Sequence, residues 1–142
     1  MIPLAAIDPG RSKCGLVLAD PEQGQVLAAG VLPPQRCQMQ LETWLAQGSC
    51  SAVVLGNGTG SRAWQAWIQE RLPLVLVPEA GTTLEARRRY WQLEPPRGWR
   101  RLLPPGLRLP PRDVDDVVAQ ILLERHLGRA LTRGADLALL PR

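Results

Sequence analysis

Cysteine is scarce in this chain of 142 residues and is not arranged for a structural role. There are only three, Cys14, Cys37 and Cys50, so their number is odd, and no two of them form a CxxC pair. A disulfide framework or a zinc site requires an even set or closely spaced pairs. We therefore expect reduced thiols and neither kind of site.

Long hydrophobic runs are also missing. The longest, such as 52–55 and 74–77, hold four residues each, whereas a membrane-spanning helix needs about 20. The N-terminal stretch MIPLAAIDPG lacks the basic region and the long apolar core of a signal peptide. A chain of this length can form one domain around one core. We expect a single cytoplasmic domain over residues 1–142 and no membrane partner.

Lysine is nearly absent, because Lys13 is the only lysine among 17 basic residues in a chain of net charge +4. Arginine forks suit phosphates, and two stretches, 87–91 and 97–101, place arginines beside aromatic residues. A nucleic-acid surface needs charge for the backbone and rings for the bases. The same pattern also fits a solvated helix face and loop with a few anchoring tryptophans, and composition alone leaves both open.

Alternating apolar and turn-forming segments predict an α/β fold. The predicted strands cover residues 2–8, 15–19, 25–32, 52–55 and 74–77, and the predicted helices cover 38–47, 61–71, 82–92 and 113–127. Residues 93–112, rich in proline, glycine and arginine, predict a long loop, and 128–142 are weakly patterned, which is typical of a frayed tail. Three hairpin-linked strands and two βα crossovers predict a mixed five-stranded sheet, three strands antiparallel and two parallel, with helices on both faces. This order is the ribonuclease H-like arrangement.

Two acids directly follow predicted strands. Asp8 ends the first strand, and Glu79 follows the strand 74–77 after Pro78. Open sheets bind ligands outside the ends of their strands, so both acids are candidate site residues. Each also has a simpler explanation, because Asp-Pro-Gly is good turn chemistry and a strand commonly ends on an acid.

A third group of acids, Asp113, Asp115 and Asp116, opens the last predicted helix. Acids are favoured at a helix N-terminus, and Asp113 is a suitable N-cap. At about 3.6 residues per turn, Asp115 shares the apolar face of the helix with Val118 and Leu122. Asp116 lies at the edge of that face, and Asp113 lies on the polar side. A cap has no reason to point inward, so we expect Asp115 to face the core.

In the predicted sheet, Asp8, Glu79 and Asp115 meet at one edge. Burying carboxylates together is costly unless a cation compensates. With no cysteine nearby and a single histidine in the chain, the acids favour a hard, oxygen-binding cation, Mg²⁺ or Mn²⁺. Two such ions can activate a water and stabilise the leaving oxygen in phosphodiester cleavage. The lone histidine, His126, is more typical of a packed or solvent-edge residue than of a ligand.

One family has segments like those of this chain in the same order. The segments are IDPGRSKCGLVLAD (7–20), GNGTGS (56–61), PEAGTTLEARRRY (78–90) and DVDDVVAQILLERHL (113–127). They resemble the YqgF (RuvX) family of RuvC-type resolvases and pre-ribosomal-RNA nucleases, which have the ribonuclease H-like fold. The chain departs from the family at Pro78 and Ala80, where an acid and an arginine are usual, so it resembles a divergent branch.

The resemblance implies a metal-dependent endonuclease that hydrolyses phosphodiester bonds in a Holliday junction or in precursor 16S ribosomal RNA. Of the catalytic acids, Asp8 would bridge two Mg²⁺ or Mn²⁺ ions, and Glu79 and Asp115 would hold one each. Asp116, or Asp113 in its place, would be the fourth acid. The residues that would contact nucleic acid are Arg11, Lys13, Asn57, Thr59, Arg87 and Arg88.

Two other functions remain open on the sequence. One is a nucleic-acid-binding module that kept the fold and lost catalysis, which salt-sensitive binding without cleavage would select. The other is a phosphate-binding member of the actin and sugar-kinase superfamily, which also uses a strand-ending D-x-G, although its chains are generally far longer. The sequence leaves monomer and homodimer open, and a dimer would favour junction resolution because that reaction needs two active sites.

Overall fold

The computed structural model of the chain describes residues 2–58 and 60–141. Within these residues the chain forms six strands and four α-helices. The strands are β1 (Leu4–Asp8), β2 (Cys14–Asp20), β3 (Gln25–Leu32), β4 (Val53–Gly56), β5 (Leu74–Val77) and β6 (Thr132–Leu139). The helices are α1 (Pro34–Ala46), α2 (Ser61–Gln69), α3 (Thr82–Leu93) and α4 (Asp115–Leu127). Two short 3₁₀ helices, Gly98–Leu102 and Pro105–Leu107, lie in the predicted loop.

The strands form one mixed sheet in the order β5-β4-β1-β2-β3-β6. The strand β2 is antiparallel to both of its neighbours, β1 and β3. The remaining pairs, β1 with β4, β4 with β5 and β3 with β6, are parallel. The α/β class and the mixed sheet are confirmed, but the predicted count of five strands is wrong, because the described residues form six.

The sixth strand comes from the segment predicted to be a frayed tail. Gly128 ends α4 with a positive φ of 69°, a conformation that glycine adopts readily, and the chain then returns to pair with β3. All eight residues of β6 are exposed or half-buried. This edge strand therefore depends on backbone pairing with β3, and its sequence lacks the alternating apolar pattern that would have predicted it.

The sheet buries an apolar layer on each face. Successive residues of a strand point to opposite sides. On one side Ile7 and Leu16 pack against α1 and α2, and on the other Ala6 and Val17 pack against α3 and α4. The predicted placement of helices on both faces is therefore confirmed. Among the residues that the structure describes, none of the helices has the length and apolarity needed to span a bilayer.

The helix α4 differs from its prediction in its burial. It begins at Asp115, two residues later than predicted, and its residues 116–123 are all buried. Gln120, which the pattern places on the polar side, is fully buried. Its Nε2 donates to the carbonyl of Leu131 at 3.2 Å, and Arg133 Nε of β6 donates to its Oε1 at 2.7 Å. His126, which shares the face of Asp115 by helical spacing, is exposed in the last turn.

Candidate active site

Three carboxylates from separate parts of the chain converge where β1 ends. Asp8 is the last residue of β1, Asp115 is the first residue of α4, and Glu79 lies two residues after β5. The negative charges of Asp115 and Glu79 both raise the pKa of Asp8, which shows that the three side chains are close enough to interact. The structure places these three acids near one another at this edge of the sheet, and their shared role as a site stays a prediction.

Asp8 is the most strongly perturbed acid of the group. Burial raises its pKa most, and the negative charges of Asp115, Glu79 and Cys14 raise it further, to about 7. The hydrogen bond to Asp115 acts in the same direction, because only a protonated Asp8 can donate it. A carboxyl that keeps its proton near neutral pH because other acids crowd it is in the electrostatic situation that a bound cation relieves.

Gly15 allows α4 to reach this position. It lies opposite Asp8 in the pairing of β1 with β2. A Cβ atom at Gly15 would overlap the backbone carbonyl of Asp115 and would lie 2.8 Å from the backbone nitrogen of Asp116. Because glycine has no side chain, the first turn of α4 packs directly on β2, and this contact places Asp115 beside Asp8.

Glu79 is positioned by a glycine loop and by an arginine. Its carboxylate lies against the loop after β4, since a Cβ atom at Gly56 would be 2.7 Å from Glu79 Oε2 and one at Gly58 would overlap Oε1. From α4, Arg125 donates to the carbonyls on both sides of Glu79 at 2.8 and 3.0 Å. Sequence reasoning missed Arg125, because nothing in its local pattern relates it to a segment so far away in the chain.

The side chain of Lys13 forms ion pairs with two acids near the start of α4. Its Nζ lies 2.6 Å from Asp113 Oδ1 and 3.7 Å from Asp115 Oδ2. The tight turn before it requires Gly10, where a Cβ atom would overlap the carbonyl of Lys13. Lys13 was predicted to contact phosphate, and Asp113 was considered as the fourth acid of the site. In the structure these two residues are paired with each other.

Asp116 is held away from the other acids by two arginines. Its side chain is 4% exposed, Arg112 Nη1 donates to its Oδ1 at 2.8 Å, and Arg133 Nη1 donates to its Oδ2 at 2.9 Å. Burial acts to raise the pKa of Asp116, but the hydrogen bonds and charges of Arg112 and Arg133 lower it overall. Asp116 was predicted to join Asp8 in one site, but in the structure it is paired with these two arginines instead. Arg133 belongs to β6, which the sequence pattern did not predict.

The acids at the end of β1 fit a hard cation by their chemistry. Asp8, Glu79 and Asp115 offer carboxylate oxygens, the donors that Mg²⁺ and Mn²⁺ prefer. Over residues 2–58 and 60–141, however, no group of three or more His, Cys, Asp and Glu side chains is arranged to hold a metal ion. Because the charge of Asp115 raises the pKa of Asp8, a cation bound between these two carboxyls would compete with the proton of Asp8.

The residues predicted to contact nucleic acid, and their neighbours on α3, differ in their exposure to solvent. Four are exposed, namely Arg11, Asn57, Arg87 and Arg88, and Thr59 lies outside the described residues. The neighbouring Arg89 points inward, and its two terminal nitrogens donate to Glu124 at 2.9 and 2.6 Å. Tyr90 is buried as well. The stretch 87–91 is therefore an exposed helix face with anchoring residues behind it, and its two rings are buried (Tyr90) and half-buried (Trp91).

A cleft of about 1020 Å³ adjoins the acids without including them. Asp113 and Asp116 line it together with parts of β3 and β6, and both ends of the loop 93–112 contribute to its wall. Asp8, Glu79 and Asp115 are not among its lining residues. The cleft therefore extends from the neighbourhood of the acid cluster toward that loop.

Comparison with known proteins gives little guidance. No protein-family model matches the chain, and no curated protein sequence matches it. Among solved structures, YeaZ from Pseudomonas aeruginosa is similar with a TM-score of 0.44 and 21% sequence identity. The matched region covers 65% of this chain and 49% of that one, so the chain spans about half the length of that structure. A likeness of this degree carries no conclusion about fold or function.

Proposed function

We propose that this chain is a divalent-metal-dependent endonuclease with a ribonuclease H-like fold, which hydrolyses phosphodiester bonds in structured nucleic acid. The observation that carries the proposal is the convergence of Asp8, Asp115 and Glu79 at the end of β1. The strand order β5-β4-β1-β2-β3, with β2 reversed, supports the fold assignment. The strand β6 extends that sheet beyond β3.

In this proposal Asp8 is the central ligand, because it is crowded by the other two acids. Asp8 and Asp115 would hold one Mg²⁺ or Mn²⁺, and Asp8 and Glu79 a second, as the family resemblance implies. The bound ions would supply an activated water and neutralise charge on the phosphate. Two contacts position these acids. Gly15 lets α4 pack closely on β2, and Arg125 donates hydrogen bonds to the carbonyls on both sides of Glu79.

The surroundings of the acids suit an anionic polymer. Arg11 is exposed in the loop that follows Asp8, and Asn57 is exposed in the loop that contacts Glu79. Arg87 and Arg88 add exposed charge on α3. Phosphate neutralisation by such residues supplies much of the affinity for nucleic acid and carries no sequence information. Branched DNA and precursor ribosomal RNA are the substrate classes that the resemblance implies.

A second candidate function is nucleic-acid binding without catalysis. The observation that favours it is the position of Lys13, whose ammonium lies 3.7 Å from Asp115 Oδ2. A lysine in that position supplies positive charge that a metal ion would otherwise bring. The described residues also lack a ready group of three metal-binding side chains, which is consistent with a site that binds phosphate and does not cleave it.

A cleavage panel separates these candidates. The wild-type protein is incubated with a four-way DNA junction, a linear duplex and a precursor 16S ribosomal RNA fragment, in Mg²⁺, in Mn²⁺ and in EDTA. The proposal predicts cation-dependent cleavage of at least one substrate and its loss in Asp115→Asn. Asp20→Asn is the matched control, because Asp20 lies at the opposite end of β2, where it accepts from the Glu22 amide at 2.9 Å. Salt-sensitive binding without cleavage selects the second candidate.

A further inference from the structure

The loop between α3 and α4 holds a concentration of positive charge. Residues 95–111 include four arginines and no acid, while the whole chain has a net charge of +4. The arginines are Arg97, Arg100, Arg101 and Arg108. Outside this loop the acidic and basic residues of the chain therefore balance, so the loop is where the chain departs from neutrality.

This loop has a defined conformation that one of its arginines maintains. Arg108 Nε donates to the carbonyl of Arg100 at 3.0 Å, and its Nη2 donates to the carbonyl of Arg101 at 3.1 Å. The carbonyl of Arg108 in turn accepts from Trp91 Nε1 of α3 at 3.0 Å. The two 3₁₀ helices of the loop are thus tied to each other and to α3.

The tied loop presents an aromatic ring to solvent. Trp99 is 62% exposed, whereas Trp44 and Trp64 are buried in the core. The guanidinium of Arg100 lies over the Trp99 ring, 4.9 Å from its centre. An exposed ring flanked by arginines suits a base attached to a phosphate.

The two ends of the loop come together near the start of α4. Arg112, at its C-terminal end, is paired with Glu94 at 3.5 Å and with Asp116 at 2.8 Å, and it precedes Asp115 by three residues. A recess of about 370 Å³ opens at the base of the loop, and Arg97 and Arg100 line it. A strand lying on the loop would therefore continue along arginines toward the start of α4.

We propose that the loop 95–111 is a docking surface for unpaired nucleotides, with Trp99 stacking on a base and the arginines holding the adjacent phosphates. The proposal rests on the proposed function, since it names the feature that a substrate would offer next to the acids. Single-stranded DNA and RNA share this chemistry, because every base has a π-face and each nucleotide carries a phosphate.

Binding to labelled oligonucleotides in EDTA tests the proposal without cleavage. Fluorescence anisotropy gives Kd for a single-stranded DNA, an RNA of the same sequence and a blunt duplex, each about 20 nucleotides long, a length that exceeds known single-strand site sizes. Trp99→Ala is expected to weaken binding to at least one of the single strands by roughly 5- to 150-fold. It is expected to change binding to the duplex by less than about twofold. Trp99→Phe keeps a ring and is expected to restore most of the affinity.

Two controls separate stacking from general loss of surface. Leu102→Ala removes a side chain that is even more exposed than Trp99, and it should leave single-strand binding unchanged. Arg101→Gln should weaken all nucleic acids and reduce the salt dependence, whereas Arg36→Gln, which changes an exposed arginine of α1, should not. Circular dichroism confirms that each variant is folded.

The outcomes decide the proposal independently of catalysis. Equal losses on single strand and duplex in Trp99→Ala, no loss at all, or a Phe variant as weak as the Ala variant would overturn it. Binding to anionic vesicles that requires Trp99, with no nucleic-acid binding, would overturn it in favour of a membrane surface. The binding assay contains EDTA, so its result does not depend on catalysis. If the protein cleaves no substrate but binds single strands through Trp99, the proposed nuclease activity is refuted and the docking surface stands.

Discussion

The side chains of Asp8, at the end of β1, and Asp115, in the first turn of α4, interact with each other, and this interaction helps to raise the pKa of Asp8. If Asp8 served only its turn and Asp115 only the start of its helix, the two acids would have no reason to lie together, since burial of carboxylates beside one another is unfavourable. Gly15 makes the contact possible because it leaves room for the backbone of Asp115. The pair therefore marks a site where the fold tolerates electrostatic strain.

The first prediction concerns the pH dependence of stability. The pKa of Asp8 is raised from 3.8 to about 7 in the folded chain, so between these values the folded state holds a proton that the unfolded state has released. Stability from this group is therefore present in acid and lost as pH rises through about 7. Asp8→Asn cannot ionise, so it avoids this loss of stability at high pH. We therefore expect it to raise the free energy of unfolding at about pH 8 by about 2 kcal/mol, a value that allows for the water reaching this half-buried group.

Thermal unfolding at several pH values measures this effect. The melting temperature of Asp8→Asn should exceed that of the wild type at about pH 8 and approach it at about pH 4. Asp20→Asn makes the same chemical change far from the cluster and should follow the wild type throughout. A stabilisation of Asp8→Asn that is the same at both pH values would contradict the account, because the raised pKa would then not be its cause.

The second prediction is that Mn²⁺ or Mg²⁺ stabilises the wild-type chain through Asp8. A ligand that binds only the folded state stabilises it by about 2.7 kcal/mol at a hundred times its Kd. The shift should be larger above about pH 7 than in acid, because the proton on Asp8 competes with the cation. The measurement is the melting temperature with and without the cation at constant ionic strength. An equal shift in Asp8→Asn would place the cation elsewhere.

The third prediction concerns Gly15. In Gly15→Ala the new methyl group would overlap the carbonyl of Asp115, so α4 must move away from β2. We expect a loss of about 1–3 kcal/mol in the free energy of unfolding and a weaker response to Mn²⁺, both measured by denaturant titration. Gly106→Ala is the control, because an added Cβ there meets nothing within 4 Å, and its change should stay within about 0.5 kcal/mol. Similar behaviour of the two variants would refute the contact.

The fourth prediction separates Asp116 from the cation site. Asp116→Asn removes the charge that pairs with Arg112 and Arg133, and Arg133 is only 10% exposed. Breaking a buried pair in this way typically costs about 3–5 kcal/mol, whereas Glu70→Gln, at an exposed pair with Arg71, should cost less than about 1 kcal/mol. At temperatures where Asp116→Asn is folded, titration should still show Mn²⁺ binding. Loss of Mn²⁺ binding from the folded variant would make Asp116 a ligand.

The order of β1 to β5 and of the four helices was predictable because apolar runs and turn residues are local features. Helical spacing likewise placed Asp115 on the inner face of α4, and that orientation brings it to Asp8. The spacing failed for Gln120, because the carbonyl of Leu131 and the side chain of Arg133 bind the side chain that the pattern left to solvent. Since β6 is an edge strand with few buried side chains, the chain gives no local signal of it, and Arg133 could not be foreseen as the partner of Asp116.

Some features of the site depend on contacts between distant segments. The need for glycine at position 15 follows from the approach of α4 and not from a turn. The hydrogen bonds from Arg125 to the backbone on both sides of Glu79 join two segments that are far apart in the chain. Exposure of Trp99 depends on how Arg108 ties the loop. Composition marked residues 97–101 as a possible nucleic-acid surface but could not say which ring faces solvent.

The most direct test of the central claim is the initial rate of cleavage by the wild type and by Asp8→Asn on the best substrate of the panel, in Mg²⁺ or Mn²⁺. The account predicts that Asp8→Asn lowers the rate by about 100-fold or more, while Asp20→Asn stays within about twofold of the wild type. It also predicts that EDTA abolishes cleavage by the wild type. Cleavage by Asp8→Asn at the wild-type rate would contradict the account.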